Sequence, residues 1–252
     1  MLQKVKFSVV SYLNTLPFLY GIQNSSFLND RMVIDLDIPS VCAQKLKEGT
    51  VDAGLVPVAL LPQLPEYHII ADYCIGAVGE VQSVLLLSDV PLEEIETIML
   101  DYHSRTSVTL VQVLAKELWN INPQFIPAST GFEQQIAGKT AAVVIGDRTF
   151  PLLGKHTYTY DLAGEWQKLT NLPFVFAVWA SNKPVEQSFI DDFNKALKFG
   201  LEHKAEAAKL GQGRGVDEAA IVDYLENAIS YEFDAAKKVG LHKFLKYLKK
   251  LA

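Results

Sequence analysis

A short hydroxyl-rich segment around an arginine is the part of this sequence best suited to bind an anion. Ser104-Arg105-Thr106-Ser107 follows an apolar run, Thr97–Leu100, and begins a stretch, Thr106–Leu118, with apolar residues at helical spacing. The first N–H groups of a helix lack partners within the helix and can donate to an anion. Arg105 can hold a carboxylate through two parallel hydrogen bonds. We therefore predict an anion-binding wall here. The alternative is an ordinary helix cap with Arg105 paired to a surface carboxylate.

Further polar residues stand at the ends of predicted strands. Asn14 follows the first predicted strand, Ser83 lies in an apolar one, and Gly146 and Asp147 follow another. Ligands of open α/β sheets bind beyond the carboxyl ends of the strands, so these residues are candidate ligand contacts. The alternatives are structural. Asn14 is a turn former, Ser83 only fills its strand, and Asp147 pairs with Arg148 or with another neighbour.

Acid–base and metal-binding residues are scarce in these segments. His103 is the nearest acid–base candidate, and its alternative is a plain loop residue. Gly211-Gln212-Gly213-Arg214-Gly215 lacks the Lys-Ser/Thr and the preceding strand of a phosphate loop, which favours a linker. The sequence has no serine-hydrolase elbow, no His-Glu-x-x-His and no carboxylates at metal spacing. We expect neither a cofactor nor a metal.

The elements that must position these residues alternate between strand and helix. Period-2 and apolar runs predict strands at Val5–Val10, Val33–Ile38, Asp52–Val56, Ile69–Asp72, Val81–Leu87, Thr97–Leu100, Phe125–Pro127, Ala141–Ile145 and Pro173–Ala180. Helical spacing predicts helices from a Ser40 cap to Gly49, over Thr106–Leu118, from Val185 onward, from an Asp217 cap through Ile229, and over Lys237–Lys250. This alternation indicates an α/β fold with mixed, mainly parallel sheets.

The restart of the pattern after Ser88 indicates two lobes. We expect lobe I to contain residues 1–86 and 175–252, and an inserted lobe II to contain residues 87–174. The chain would cross between them near Val84–Leu87 and Phe174–Val178. A cleft between two such lobes is a common ligand site.

Composition limits the function classes. The chain of 252 residues carries a net charge of −6, which argues against a nucleic-acid partner. It opens directly into a predicted strand rather than a signal peptide, no apolar run is long enough to span a membrane, and its two cysteines have no redox or metal spacing. We expect a cytoplasmic protein with no membrane partner, either a monomer or a homodimer, that binds a small anionic molecule.

Six segments in combination resemble the chorismate dehydratases of the futalosine route to menaquinone. They are Val10-Ser-Tyr-Leu-Asn-Thr-Leu-Pro17, Asp52-Ala-Gly-Leu-Val-Pro57, Val81-Gln-Ser-Val84, Ser104-Arg-Thr-Ser107, Ile145-Gly-Asp147 and Leu172-Pro-Phe-Val-Phe-Ala-Val-Trp179. The resemblance spans about residues 5 to 180. It implies a type II periplasmic-binding-protein-like fold with a cleft between its lobes. It also implies Asn14 and Ser83 as the catalytic pair, with Ser104–Ser107, Gly146 and Asp147 binding the substrate.

The resemblance implies the dehydration of chorismate to 3-[(1-carboxyvinyl)oxy]benzoate. Neither Asn14 nor Ser83 is a base at neutral pH, so we hypothesise that the enolpyruvyl carboxylate of the substrate removes the proton. Three alternatives stay open: a non-catalytic solute-binding protein, the effector domain of a regulator, and the sister dihydroxynaphthoate synthase. The regulator ranks lowest, because no helix-turn-helix precedes the first predicted strand.

Overall fold

The computed structural model describes residues 4–251, which form two compact α/β units. The first contains the residues up to Gly76 and Val175–Asp234, and the second contains Ala77–Phe174 and the residues from Ala235 onward. Residues 77–86 and the C-terminal helix thus group with the second unit, whereas the sequence-based division assigned them to lobe I. The helix groups there because its buried Phe244 packs edge-on against Phe174, with ring centroids 5.1 Å apart.

The strands alternate with helices along most of the chain. The strands are β1 (Val5–Val10), β2 (Met32–Asp37), β3 (Ala53–Pro57), β4 (His68–Ala77), β5 (Val84–Ser88), β6 (Thr97–Leu100), β7 (Gln124–Pro127), β8 (Thr140–Ile145), β9 (Tyr158–Asp161), β10 (Phe174–Ser181) and β11 (Ser230–Glu232). The helices are α1 (Leu16–Gln23), α2 (Ser26–Asn29), α3 (Pro39–Glu48), α4 (Thr106–Glu117), α5 (Leu162–Thr170), α6 (Gln187–Glu202), α7 (Lys204–Ala208), α8 (Glu218–Asp223) and α9 (Ala235–Leu251). Across residues 4–251, none of them has the length and apolar character needed to cross a membrane.

Both sheets are mixed, as predicted. The six-stranded sheet has the order β11-β4-β10-β3-β1-β2, and the five-stranded sheet has the order β7-β6-β8-β5-β9. Pairing is parallel around β1 and β6, where helices connect the strands. It is antiparallel where β10 meets β3 and where β5 meets β8 and β9. We expected mainly parallel sheets, and parallel pairing does not dominate.

An aromatic cluster fills the core of the first unit. The Phe7 ring of β1 lies 6.2 Å from Trp179 of β10 and 5.3 Å from Phe193 of α6, measured between centroids. All three side chains are buried. Burial of each large aromatic side chain stabilises the fold by about 2–3 kcal/mol, so this cluster anchors β1 and the turn that follows it.

The ends of several helices differ from the prediction, and the local backbone explains the difference. Helix α3 begins at Pro39 with Ile38 as its cap, so the predicted Ser40 cap is wrong. Proline suits the first helical position because its missing N–H would have no helical partner there. Gly49 ends the helix as predicted, at φ +71°. Asp217 caps α8 as predicted, and the helical stretch continues as one π-helical turn to Ala228, with Ile229 as its cap directly before β11.

Candidate functional site

Asn14 lies in a 3-10 turn directly after β1, and several hydrogen bonds hold the backbone of this turn. The buried Thr15 hydroxyl donates to the Val10 carbonyl at 2.6 Å, and the Tyr231 hydroxyl donates to the Asn14 carbonyl at 3.0 Å. The guanidinium of Arg214 donates to the Ser11 carbonyl. The side chain of Asn14 is therefore presented from a well-held turn at the carboxyl end of a central strand.

The amide oxygen of Asn14 has an unusual environment. Oδ1 is buried and has no hydrogen-bond partner among the described residues. A buried polar atom without a partner costs about 1–3 kcal/mol, so such atoms are rare in folded proteins and call for an explanation. A ligand that donates a hydrogen bond to Oδ1 would explain it, because the ligand would be the missing partner.

Ser83 directly precedes β5, which begins at Val84 and not at the predicted Val81, and it lies in a turn that a carboxylate holds. One oxygen of Asp161 accepts from the Val81 and Gln82 N–H groups, at 2.9 and 2.7 Å. The other accepts from Ala163 and Gly164 and so caps α5. Gln82 has a φ of +62°, which is uncommon for a residue other than glycine. The Asp161 carboxylate thus fixes the backbone that leads into Ser83.

Two further predicted residues lie near Ser83, where β8 ends and β5 begins. The Gly146 N–H donates to the Ser83 carbonyl at 2.8 Å, because β5 and β8 pair antiparallel there. Gly146 has a φ of +67°, a left-handed conformation that glycine adopts at no steric cost, and it turns the chain after β8. Asp147 follows it, half-buried, in the next 3-10 turn.

The hydroxyl segment Ser104–Ser107 forms the start of α4 and contains a local cap. The Ser104 hydroxyl oxygen accepts from the Ser107 N–H at 2.9 Å. This bond occupies one of the N–H groups at the start of α4 that were predicted to donate to an anion. The alternative of a helix cap is therefore present, and the predicted anion-binding wall has one N–H donor fewer. Ser104, Thr106 and Ser107 are buried and Arg105 is half-buried.

Arg148 binds carboxylates of the protein itself. Its guanidinium donates to the fully buried Asp101 carboxylate and, at 2.8 Å, to Glu133. Asp101 also accepts from the His103 N–H at 2.9 Å and the Ile145 N–H at 3.0 Å. This network joins the ends of β6 and β8 and pairs Arg148 with the carboxylates of Asp101 and Glu133.

His103 lies beside this network and is half-buried. Burial and the positive charge of Arg148 lower the pKa of its imidazole, against the opposing pull of Asp101 and Glu133. The ring packs edge-on against Tyr102, with centroids 4.4 Å apart. Lowering the pKa keeps the ring neutral at pH 7, which is the protonation state that a general base needs.

Other reactive groups offer little chemistry. Cys42 is buried, and burial raises the pKa of its thiol to about 12, so it is not a nucleophile at neutral pH. Within residues 4–251, no group of three or more His, Cys, Asp or Glu side chains is arranged to hold a metal ion. Apart from the Asp147 carboxylate and the His103 imidazole, the candidate residues therefore offer amide, hydroxyl and guanidinium groups.

Sequence reasoning missed the supporting residues Asp161, Tyr231 and Arg214. Asp161 precedes a helix in the manner of an N-cap, and this signal was available. Tyr231 and Arg214 contact a turn that lies 217 and 203 positions earlier in the chain, and a single sequence gives no signal for such contacts.

The fold of this chain is similar to those of several solved structures. Protein AF1704 from Archaeoglobus fulgidus superposes with a TM-score of 0.79 at 12% identity, covering 98% of this chain and 97% of that one. A Candida albicans gene product described as having the generic periplasmic binding protein fold superposes with a TM-score of 0.63 at 13% identity, covering 100% and 92%. These similarities confirm the predicted periplasmic-binding-protein-like fold, and at such identities they concern the fold alone.

Sequence comparison extends over nearly the same length. A curated relative named chorismate dehydratase, from Thermus thermophilus, is 26% identical over 232 residues, which is 84% of each chain. A protein-family model described as menaquinone biosynthesis matches residues 5–250. The match extends beyond the six segments quoted above and includes the C-terminal helices. This chain belongs to the menaquinone biosynthesis family.

Proposed function

We propose that this protein is a chorismate dehydratase that converts chorismate to 3-[(1-carboxyvinyl)oxy]benzoate and water. Family membership and the similarity to the Thermus thermophilus relative support this activity. The structural observation that carries the proposal is the buried, unpartnered Oδ1 of Asn14, at the residue that the resemblance implies is catalytic. In this proposal Asn14 and Ser83 are the catalytic polar pair, and Ser104–Ser107, Gly146 and Asp147 bind the substrate.

The reaction requires a proton and a hydroxide to leave neighbouring ring carbons. The proton leaves the carbon that bears the enolpyruvyl ether, where the double bond conjugated to the ring carboxylate makes it acidic. Its electron pair spreads toward that carboxylate, and the adjacent hydroxyl then departs, which makes the ring aromatic. Proton and hydroxide together give the water, and no oxidant or reductant is needed.

The proposed residues have chemically distinct roles. Asn14 Oδ1 accepts a hydrogen bond from a hydroxyl of the substrate and orients it, and Ser83 assists the leaving oxygen. Arg105 binds a carboxylate and stabilises the negative charge that spreads in the transition state. For the base, we retain the substrate's own enolpyruvyl carboxylate, because neither Asn14 nor Ser83, the proposed catalytic pair, is a base at neutral pH.

Direct incubation with chorismate tests this function. The purified chain is mixed with chorismate, and the products are followed by ultraviolet absorbance and mass spectrometry. We expect a new aromatic absorbance and a product lighter by one water. A solute-binding protein of the same fold would instead bind chorismate and return it unchanged.

The assignment of the base has its own test. We expect His103→Ala to retain turnover within about tenfold of the wild type, since a general base contributes about 10²–10⁴-fold. Loss of turnover with chorismate affinity intact would identify His103 as the base and remove the substrate-assisted step.

The carboxylate-binding role of Arg105 is tested by Arg105→Ala. A lost charge-assisted hydrogen bond costs about 1.5–3 kcal/mol, so we expect the affinity for chorismate to fall by roughly 10- to 100-fold. The free energy of unfolding is expected to change by less than about 1 kcal/mol, since Arg105 is half-buried. Unchanged affinity in calorimetry would contradict the assignment. Lys116→Ala, on the exposed end of α4, is the matched control for the loss of a positive charge.

A further inference from the structure

Tyr231, in the middle of β11, donates a hydrogen bond to the turn that contains Asn14, 217 positions earlier in the chain. Its hydroxyl lies 3.0 Å from the Asn14 carbonyl oxygen, and its side chain is buried. Burial raises the pKa of the Tyr231 hydroxyl well above its usual value, so the group keeps its proton and remains a donor. Both residues belong to the first unit, so this contact lies within one compact body.

Two further contacts hold the ring of Tyr231. The ring of Phe18 in α1 packs edge-on against it, with centroids 5.3 Å apart. The ammonium group of Lys204 lies over the ring, 5.3 Å from its centroid, where the electrons of the ring attract a cation. The ring is therefore held independently of the hydroxyl, and a substitution that removes only the hydroxyl leaves these contacts in place.

The chain reaches Tyr231 through a π-helical turn at Tyr224–Ala228. Such turns are rare and occur often at functional sites. This one packs against the turn Leu13–Thr15, which contains Asn14. The segment that leads into β11 therefore already lies against the Asn14 turn.

The pairing of β11 with β4 is irregular at Tyr231. Ser230 lies opposite Gly76 and Glu232 lies opposite Tyr73, so the register shifts by one residue between them. A bulge of this kind re-aims a side chain, and bulges are common beside active sites. Two irregular elements in succession thus set the direction of the tyrosine whose hydroxyl reaches the Asn14 turn.

We propose that Tyr231 is a positioning residue for Asn14, and that the π-helical turn and the bulge aim its hydroxyl at the Asn14 carbonyl. This inference rests on the proposed function, in which Asn14 is catalytic. The bond to the carbonyl fixes the peptide plane of Asn14 and with it the direction of the Cα–Cβ bond, so that Oδ1 is held in place for the substrate. Tyr231 acts through Asn14 and not on the reacting atoms.

A double-mutant cycle on kcat separates this role from a structural one. Tyr231→Phe removes the hydroxyl and keeps the ring, and it is measured alone and together with Asn14→Ala. Because Asn14→Ala keeps the backbone carbonyl that accepts the bond, a merely structural effect would be the same in both backgrounds. Tyr20→Phe is the matched control, since it removes a tyrosine hydroxyl from α1 whose ring stacks on Phe199. Thermal denaturation establishes that every variant is folded.

We expect Tyr231→Phe to lower kcat by roughly 3- to 10-fold, the effect of one neutral hydrogen bond, and to change KM by less than about twofold. In the Asn14→Ala background the same substitution should change kcat by less than about twofold, because the amide that it positions is gone. Tyr20→Phe should keep the kcat of its background in both cases. An equal loss from Tyr231→Phe in both backgrounds would overturn the proposal by showing that Tyr231 only supports the fold, and so would an unchanged kcat of the single variant.

A second readout is independent of chorismate. The side-chain amide resonances of Asn14 in proton–nitrogen correlation spectra are identified by their absence from Asn14→Ala. We expect them to move in Tyr231→Phe and to stay in place in Tyr20→Phe, and unmoved resonances in Tyr231→Phe would contradict the proposal. If the wild type does not dehydrate chorismate, the proposed function fails, while these spectra still decide whether Tyr231 positions Asn14.

Discussion

At the scale of single residues, the proposed function depends most on the buried side-chain amide oxygen of Asn14. Its backbone carbonyl accepts from Tyr231 at 3.0 Å, whereas its Oδ1 has no partner in the described chain. The sequence placed Asn14 after a strand, and the family resemblance implied its role. Neither indicated that the oxygen is buried without a partner, because burial depends on residues far away in the sequence.

We predict that Asn14→Ala lowers kcat by about 10²–10³-fold, in line with the removal of one catalytic hydrogen-bonding group. Since Oδ1 loses no protein partner, the free energy of unfolding should stay within about 1 kcal/mol of the wild type. Steady-state kinetics and urea denaturation measure both quantities. Asn24→Ala, an exposed amide just after α1, is the matched control and should keep wild-type kcat. A large loss of stability with normal kcat would instead make Asn14 a structural turn residue.

His103 makes the free energy of unfolding depend on pH. Because burial and Arg148 lower its pKa, the unfolded chain binds a proton at higher pH than the folded chain. The corresponding stability is present above the unfolded pKa of about 6.5 and is lost as the pH falls through the folded pKa. We predict that His103→Gln shows a smaller loss of stability than the wild type between pH 7.5 and 5.5 in urea denaturation. Identical losses would refute this coupling, and His242→Gln, at an exposed histidine, controls for the substitution itself.

At the scale of elements, the strands were predicted better than their connections. The ends of β1 and β6 match the prediction, because alternating or apolar runs define them. Helix α1 was not predicted, since six of its eight residues are buried and it lacks a polar face to create helical periodicity. Strand β9 has four residues like β6, but its sequence Tyr-Thr-Tyr-Asp lacks the apolar run that marks β6, and β11 has only three residues.

The missed pair β9–α5 matters for the site, because Asp161 at their junction holds the turn before Ser83. An amide offers one acceptor oxygen where the carboxylate offers two, so Asp161→Asn should leave two of the four bound N–H groups without a partner. We predict a loss of about 2–4 kcal/mol in the free energy of unfolding and a lower kcat.

The matched control is Asp217→Asn, which changes the exposed cap of α8 that accepts from Ala219. Because asparagine caps helices about as well as aspartate, this variant should lose less than about 1 kcal/mol. Urea denaturation compares the two variants. Equal and small losses would show that Asp161 is only another helix cap.

At the scale of the whole molecule, composition and element order sufficed for the α/β class, and the resemblance added the periplasmic-binding-protein-like fold. The grouping of α9 with the second unit was beyond both, since it depends on the packing of Phe244 with Trp166 and Phe174. An acidic chain of net charge −6 that binds a dianion also needs local positive charge. Arg105 is our candidate for this charge.

The most direct test of the account is the fate of chorismate incubated with the purified chain. Ultraviolet absorbance and mass spectrometry are read for the wild type and for Asn14→Ala at the same concentrations. The account predicts that the wild type converts many equivalents of chorismate to an aromatic product lighter by one water, and that Asn14→Ala binds chorismate but converts it at least about a hundredfold more slowly. Chorismate that stays bound and is recovered unchanged from the wild type would contradict it.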